Sequence, residues 1–296
     1  MKRAGVARVT VRKVQRGRAI LEKDALAVEE PLEIRAVRGS TRRRRMESIA
    51  VTMRTPGNDF ELAAGFLYTE GILRSADDLD RIEYAKESSA DGPNVVEVRL
   101  RRGASFDLSL ARRNFFTTSS CGVCGKASLE AIRVRGVPAM PPTRPFVPQA
   151  AVQDLPDRLR GAQAIFAETG GLHAAALFDS AGVIEQSRED VGRHNAVDKV
   201  IGREVLEDRL PLFDYGLVVS GRASFEILQK AAVAGIPFVV AVGAPSSLAV
   251  STATEFGMTL VGFAREDRFN VYAGPQRIQA TDRQGGQAAS SADVGA

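Results

Sequence analysis

Cysteine is scarce in this sequence: Cys121 and Cys124 are the only two among 296 residues. So few thiols exclude a fold stapled by disulfides, and they exclude any cluster that needs four thiolates. Histidine is as scarce, with only His173 and His194, and tryptophan is missing. Two Cys and two His make four zinc ligands on paper. His173 lies far downstream of the cysteines, however, and the two histidines are not at finger spacing, so no bound zinc or other metal is expected. Long apolar runs are lacking too. A stretch such as 238–242 is far too short to span a bilayer, and the basic opening, 1–20, lacks the continuous apolar segment of a secretory signal. With two thiols and no signal, a reducing cytoplasm is the expected compartment, with no membrane association. Neither a Walker lysine loop nor G-x-G-x-x-G is present, which disfavours ordinary ATP or NAD chemistry. Neither sign of charge dominates: 40 Lys and Arg against 36 Asp and Glu leave +4. That fits an anionic ligand and makes no case for nucleic acid.

What is present is an ordinary soluble composition, 44% hydrophobic and 26% charged, on a chain long enough for a substantial core. Against that background one stretch stands out: Thr118-Ser119-Ser120-Cys121-Gly122-Val123-Cys124-Gly125. Both thiols sit in a single C-x-x-C, and each is followed by glycine. The run 126–132 reads as a helix starting just after the pair. A helix N-terminus and Lys126 both favour thiolate, the nucleophilic form of sulfur. Four uses compete. Structural zinc fails on the spacing of its four possible ligands. A thioredoxin-like redox pair normally sits on a stiff strand-to-helix turn, whereas Gly122 and Gly125 loosen this one. Burial as inert small hydrophobes conflicts with the polar approach 117–120. A persulfide carrier suits an exposed loop, because the sulfur must reach both donor and acceptor.

Along the chain, the segment up to about Lys23 is charged and of uncertain order. Segments 32–37 and 46–54 alternate like a β-hairpin. Between them, Arg42 to Arg45 reads as a solvated loop or as a docking site for an acidic partner. Asn58 or Asp59 can cap a helix over 60–70, with Gly71 at its C-terminal end. Segments 95–100 and 105–110 read as a strand pair. A proline-rich connector, 138–145, then separates an N-terminal α+β part, 1–137, from a C-terminal α/β part, 146–278. The tail, 279–296, is Gly/Ala/Ser-rich and expected to be disordered. In the second part, 164–168, 174–179 and 183–186 are strand-like, and Asp190 can cap a helix to about Leu206. Strand 216–220, helix 223–234, strand 237–242, helix 246–256 and strand 258–263 follow, with 269–272 as an edge strand. Such alternation predicts a parallel or mostly parallel sheet.

Ligands of open α/β sheets collect beyond the carboxyl ends of the strands. Three such ends are anion-friendly: Ser220-Gly221-Arg222-Ala223-Ser224, Val242-Gly243-Ala244-Pro245-Ser246-Ser247, and Phe263-Ala264-Arg265-Glu266-Asp267-Arg268. The run Glu189-Asp190-Val191-Gly192-Arg193-His194-Asn195 has two open readings. Arg193 and His194 at a helix start bind an anion or assist proton transfer, or Asp190 merely caps the helix and His194 is structural. His173, after Gly170-Gly171, reads as a packed, hydrogen-bonded residue.

These segments together resemble the formate dehydrogenase accessory sulfurtransferase family, FdhD. The resemblance is carried by Pro56-Gly57-Asn58-Asp59-Phe60-Glu61-Leu62-Ala63-Ala64-Gly65-Phe66-Leu67 and by Cys121-Gly122-Val123-Cys124-Gly125. It continues through 169–176, 189–199, Ser220-Gly221-Arg222-Ala223-Ser224 and Thr259-Leu260-Val261-Gly262-Phe263, in order, over roughly 25–278. It implies an α/β chain in two parts, the C-terminal one a cytidine-deaminase-like mixed or parallel sheet flanked by helices, without the deaminase zinc site. It implies a homodimer that takes sulfur as a persulfide from a cysteine desulfurase. The sulfur passes to the bis-molybdopterin guanine dinucleotide form of the molybdenum cofactor of formate dehydrogenase. Cys121 corresponds to the persulfide cysteine, with Cys124 as relay, protector or tuner of its pKa. Phe263 through Arg268 correspond to the cofactor-contacting segment, with Arg222 beside them, and GDP serves as an analogue of the cofactor's nucleotide. Two other classes stay open, a cofactor-binding chaperone without obligatory sulfur transfer and a thiol–disulfide oxidoreductase.

Overall fold

A computed structural model describes residues 5–39, 45–86, 93–101 and 137–280. The cysteine loop, the helix expected after it, the strand expected over 105–110, Arg42 to Arg44 and the tail from 281 lie outside the described residues.

The architecture is α/β. Its centre is a six-stranded mixed sheet in the order β13-β12-β11-β10-β8-β9. The three middle strands, β10 (Gly216–Val219), β11 (Phe238–Ala241) and β12 (Thr259–Arg265), are parallel. Their sequences are almost wholly apolar because both sheet faces are covered. The hairpin of β8 (His173–Phe178) and β9 (Ile184–Asp190) extends the sheet antiparallel on one side, and β13 (Arg268–Ala273) does so on the other. Side chains alternate between faces as a strand requires. Ala174, Ala176, Phe178, Val218, Phe238 and Val240 pack with Val152, Leu155 and Leu159 of helix α2 (Gln149–Ala162). Ala175, Leu177, Leu217, Val219, Val239 and Ala241 face helices α4 (Arg193–Leu206), α5 (Phe225–Val233) and α6 (Ser247–Glu255).

The second core does not stop at these helices. It continues through α1 (Asp59–Thr69) to Leu32, Ile34, Val96 and Val98 of a four-stranded sheet. That sheet has the order β4-β3-β6-β5, from β3 (Glu30–Arg38), β4 (Arg45–Arg54), β5 (Leu79–Tyr84) and β6 (Val95–Leu100). The join is the crossing of α1 on α4, made by two glycines. A Cβ on Gly65 would lie 1.9 Å from the Asp198 carbonyl oxygen, and one on Gly202 would lie 1.7 Å from that of Glu61. Nothing larger than hydrogen fits at either place, so the helices meet backbone on backbone.

Buried charge surrounds this crossing. Lys230 on α5 donates to Asp198 of α4 at 2.9 Å and to Thr69 and Glu70 at the end of α1, at 3.0 and 3.3 Å. Thr69 also donates to Asp198, at 2.9 Å. Arg188 of β9 holds Glu61 of α1 through two nitrogens. Arg54, 1% exposed, spreads over Asp59, Glu30 and Asn94.

Several expectations need correction. The opening segment is ordered as a hairpin, β1 (Val6–Gln15) with β2 (Arg18–Ala27). Arg16 and Gly17 at its tip both have positive φ, 48° and 77°, the turn geometry that matches strand twist. Dense charge on an exposed ribbon hid the alternation. Segment 164–168 is not a strand but helix α3 (Ala164–Thr169), because the Glu189 carboxylate accepts from the N–H groups of Ile165 and Phe166 and so caps its start from a distance. Helix α2 was not expected at all, as Pro156 interrupts its pattern. Both edges of β6 are taken by β3 and β5, so its partners differ from the expected strand 105–110. No helix among the described residues is long and apolar enough to cross a membrane.

The crossing makes a sharp stability prediction. Gly202→Ala must push α1 off α4, so its cost should reach or exceed the roughly 1–3 kcal/mol typical of overpacking, lowering the melting temperature by about 5–10 °C. Gly161→Ala, on α2 with nothing within 4 Å of the added methyl, should be neutral or slightly stabilising. Equal melting temperatures for the two variants by thermal unfolding would refute the crossing.

Candidate functional site

The chain ends of β10, β11 and β12 converge, as the sheet topology demands. The turn after β10 and the turn after β11 pack directly on each other. Gly243 N–H donates to the Gly221 carbonyl at 2.9 Å, Ser246 N–H donates to that of Ala223 at 2.9 Å, and Ala223 and Pro245 form an isolated bridge. This approach also needs glycine, since a Cβ on Gly243 would sit 2.9 Å from the Gly221 oxygen. Each turn opens a helix, with Ser224 at the N-cap of α5 and Ser246 at the N-cap of α6, where the Ser246 hydroxyl accepts from Ala249 N–H.

Above these turns lies a pocket of ≈ 330 Å³ lined by His173, Arg193, Ser220, Gly221, Arg222, Val242, Gly243 and Arg265. Two of the expected site residues, Arg222 and Arg265, are therefore neighbours in one cavity. Arg265 is anchored by hydrogen bonds from Nη1 to the carbonyls of Val242 and Ala264, both 2.7 Å. Segment 263–268 comprises the end of β12, a turn at Glu266 and Asp267, and the start of β13, with Arg265 paired to Arg268 across the turn. Phe263 is exposed with φ 53° and donates its N–H to the Gly243 carbonyl, at the pocket's edge. Ala264 is fully buried and turns its methyl into the core against α2. Phe263, Ala264, Glu266, Asp267 and Arg268 are not part of the pocket lining. Cys121 and Cys124 lie outside the described residues.

Arg193 and His173 complete the wall, and the sequence pointed to them only partly. The 189–195 run carried a signal, a basic pair at a helix start, but left two readings open. His173 read as a packed residue; the strand register brings it opposite Asp190 and beside Arg193 instead. Asp190 is not the helix cap expected of it. It is the last residue of β9, wholly buried, and four donors converge on its carboxylate. Lys199 Nζ lies 2.7 Å away, Gly192 N–H 2.8 Å, Asn195 Nδ2 3.1 Å and Thr55 N–H 3.2 Å. Lys199 is itself buried and also donates to the Thr55 carbonyl at 2.9 Å. This knot fixes the first turn of α4 and hence the root of Arg193.

The electrostatics follow from that arrangement. Burial pushes His194 down to about 4, helped by Arg193 and Lys230, so the ring is neutral; its Nε2 lies 3.3 Å from Ser224 Oγ. Burial and then Arg193 also lower His173. The Arg193 Nε atom is buried with no hydrogen-bond partner among the described residues. An unpartnered buried guanidinium nitrogen beside a pocket with two more guanidinium groups suits an oxyanion, which would supply the missing acceptor. Among the described residues no three of His, Cys, Asp and Glu gather as a metal site.

Comparison with known proteins agrees with this frame. A model of the FdhD/NarQ family matches residues 27–279. Sulfur carrier protein FdhD of Mycolicibacterium paratuberculosis is 54% identical over 267 residues, covering 88% of this chain and 94% of the relative. Its namesake in Streptomyces avermitilis is 51% identical over 281 residues, covering 92% and 96%. That of Sulfurisphaera tokodaii is 43% identical over 273 residues, covering 92% and 99%. A crystal structure from Desulfotalea psychrophila, of a protein assigned as a formate dehydrogenase accessory protein, matches with TM-score 0.69 over 93% of this chain and 99% of that one; at 24% identity it shows the shared fold.

The His194 environment makes a pH prediction. Folded His194 refuses a proton until about pH 4, whereas the unfolded ring accepts one near its ordinary 6.5. Its contribution to stability is therefore intact above 6.5 and is lost as pH falls from about 6.5 toward 4. Asp198, raised to about 6 by burial, acts in the opposite sense over part of that range. The His194 share is isolated by subtracting the denaturation free energies of His194→Gln from those of the wild type at each pH. A difference that does not change with pH would show that the ring is not held neutral.

Proposed function

The chain belongs to the FdhD/NarQ family, and from that premise we propose that it is a sulfur carrier: it accepts sulfur as a persulfide on Cys121 and delivers it to the molybdenum cofactor of formate dehydrogenase. The carrying observation is the match to relatives of that name, about half identical over some nine-tenths of the chain. In the loading step the Cys121 thiolate attacks the outer sulfur of a cysteine desulfurase persulfide. A new S–S bond forms on Cys121, the donor's S–S bond breaks, and the donor leaves as thiolate, with no net oxidation. The placement of the thiols in the only C-x-x-C of the chain supports this role, with Cys124 as the resolving or tuning partner.

The cargo is proposed to be the bis-molybdopterin guanine dinucleotide, held by its phosphates. Support comes from the pocket: three guanidinium groups, one imidazole and two helix N-termini at the carboxyl edge of the sheet, with no carboxylate among the described residues of the lining. Phe263, exposed at the rim, offers a face for the base. Arg222 and Arg265 would meet phosphate oxygens, and Arg268 on the adjoining strand would add charge at the mouth.

Sulfur loading is tested by incubating the protein with a cysteine desulfurase and labelled cysteine, then locating bound sulfur by mass spectrometry. The expected site is Cys121; label on Cys124 alone, or on neither, would sink the assignment. Cys121→Ala should fold and fail to activate formate dehydrogenase.

Nucleotide binding is tested by calorimetry with GDP. Losing one charge-assisted hydrogen bond costs on the order of 1.5–3 kcal/mol, so Arg265→Ala should weaken GDP by roughly tenfold or more, and Arg222→Ala similarly. An Arg265/Arg268 double alanine variant with wild-type GDP affinity would place the ligand elsewhere. Sulfur loading should survive these changes.

A further inference from the structure

Of the described residues lining the pocket, Arg193, Arg222 and Arg265 carry fixed charge, and His173 is the one whose charge can change near neutral pH. The ring stands at the inner wall. A Cβ built on Gly221 would be 3.5 Å from His173 Nδ1 and 3.8 Å from the Arg193 side chain at Cδ, so imidazole and guanidinium stem flank the same glycine. No hydrogen bond to the ring comes from the described residues.

The groups facing it come from four directions. From β9 comes Asp190, whose carboxylate is already committed to Lys199, Gly192, Asn195 and Thr55. From the start of α4 comes Arg193, from the turn after β10 comes Arg222, and from β12 comes Arg265. Ser220 contributes no charge, and its hydroxyl oxygen is occupied by Ala174 N–H at 2.9 Å. Burial first and then the Arg193 charge therefore lower the imidazole from its ordinary value, against an opposing pull from Asp190. An entering anion reverses the sign of that environment.

We infer that His173 is a further ligand of this pocket, one that takes up a proton when an oxyanion enters and donates the new N–H to it. The inference rests on the pocket being the phosphate site proposed above. Only a proton from solvent is gained; no other bond forms or breaks. The sign of the linkage is fixed. In the free protein the ring titrates below its usual 6.5; with an anion beside it the ring titrates higher. Between those two values binding consumes a proton, so affinity rises as pH falls, by up to about tenfold per unit for one proton. It levels off below the free value.

Sulfate is the clean probe, because it does not itself titrate in this range. Calorimetry from pH 6 to 8, in two buffers of different ionisation enthalpy, counts protons taken up per sulfate bound. With only two histidines in the chain, their imidazole C2–H signals report each ring directly. The expected result is uptake approaching one proton, a downfield shift of the His173 signal, and tighter sulfate at lower pH. His173→Gln should bind more weakly with no pH slope, while His194→Gln should keep the slope. Sulfate binding without proton uptake, or a slope that persists in His173→Gln or disappears in His194→Gln, overturns the inference. Should His173→Gln not fold, the wild-type proton count decides alone. If Arg265→Ala abolishes binding and no proton is taken up, the pocket reading stands and this inference falls. If GDP and sulfate bind without regard to Arg265 and leave the His173 signal unmoved, or do not bind, both fall.

Discussion

Two peptide backbones in contact, at Gly65 of α1 and Gly202 of α4, set the distances for most of this molecule. With the helices so close, Asp198 of α4 comes within reach of Thr69 on α1 and Lys230 on α5, and all three are sealed from water. Buried charges without partners would be costly, and here Lys230 and Asp198 each have theirs within hydrogen-bond distance. The same helix carries Lys199 one residue after Asp198, and Lys199 reaches the opposite way, to Asp190 and the Thr55 carbonyl. One helix thereby binds the four-stranded sheet on one side and the end of β9 on the other, and its first turn is left pointing at the strand ends.

The charge pattern follows a single rule. Carboxylates near the centre are used up inside: Asp59 by Arg54, Asp190 by Lys199, Asp198 by Lys230, and Glu189 by the start of α3. Guanidinium groups at the sheet edge are left facing the pocket. A chain with a net charge of only +4 can therefore present a strongly cationic cavity, because the compensating acids are placed where a ligand does not meet them.

How much of this was readable in the sequence depended on the range of the interactions. Elements with a clean local period, such as 95–100, 216–220 and 237–242, were legible because burial on one or both faces writes itself into the pattern. The convergence of three strand ends was legible from topology alone, and it brought Arg222 and Arg265 together as expected. What was not legible depended on distant partners. Helix α3 exists because Glu189, some two dozen residues away, caps it. Asp190 looked like a local cap and is instead the centre of a knot involving Thr55. His173 looked like packing because nothing beside it in sequence shows that Arg193 and Gly221 will share its wall. The two glycines of the crossing lie inside ordinary helical patterns and announce nothing until the helices are seen together.

That crossing also dictates the order in which the molecule can assemble. Gly65 and Gly202 are 137 positions apart in the chain (202 − 65), and both cysteines fall within the span between them. During synthesis α1 emerges long before its partner exists, and its apolar face must wait, since a contact of such sequence separation forms late and at high loop-closure entropy. The four-stranded sheet can gather early around α1, but its far side is covered only when α4 has left the ribosome. The pocket, whose wall includes Arg193 of α4 and Arg265 of β12, is likewise completed only by the later part of the chain.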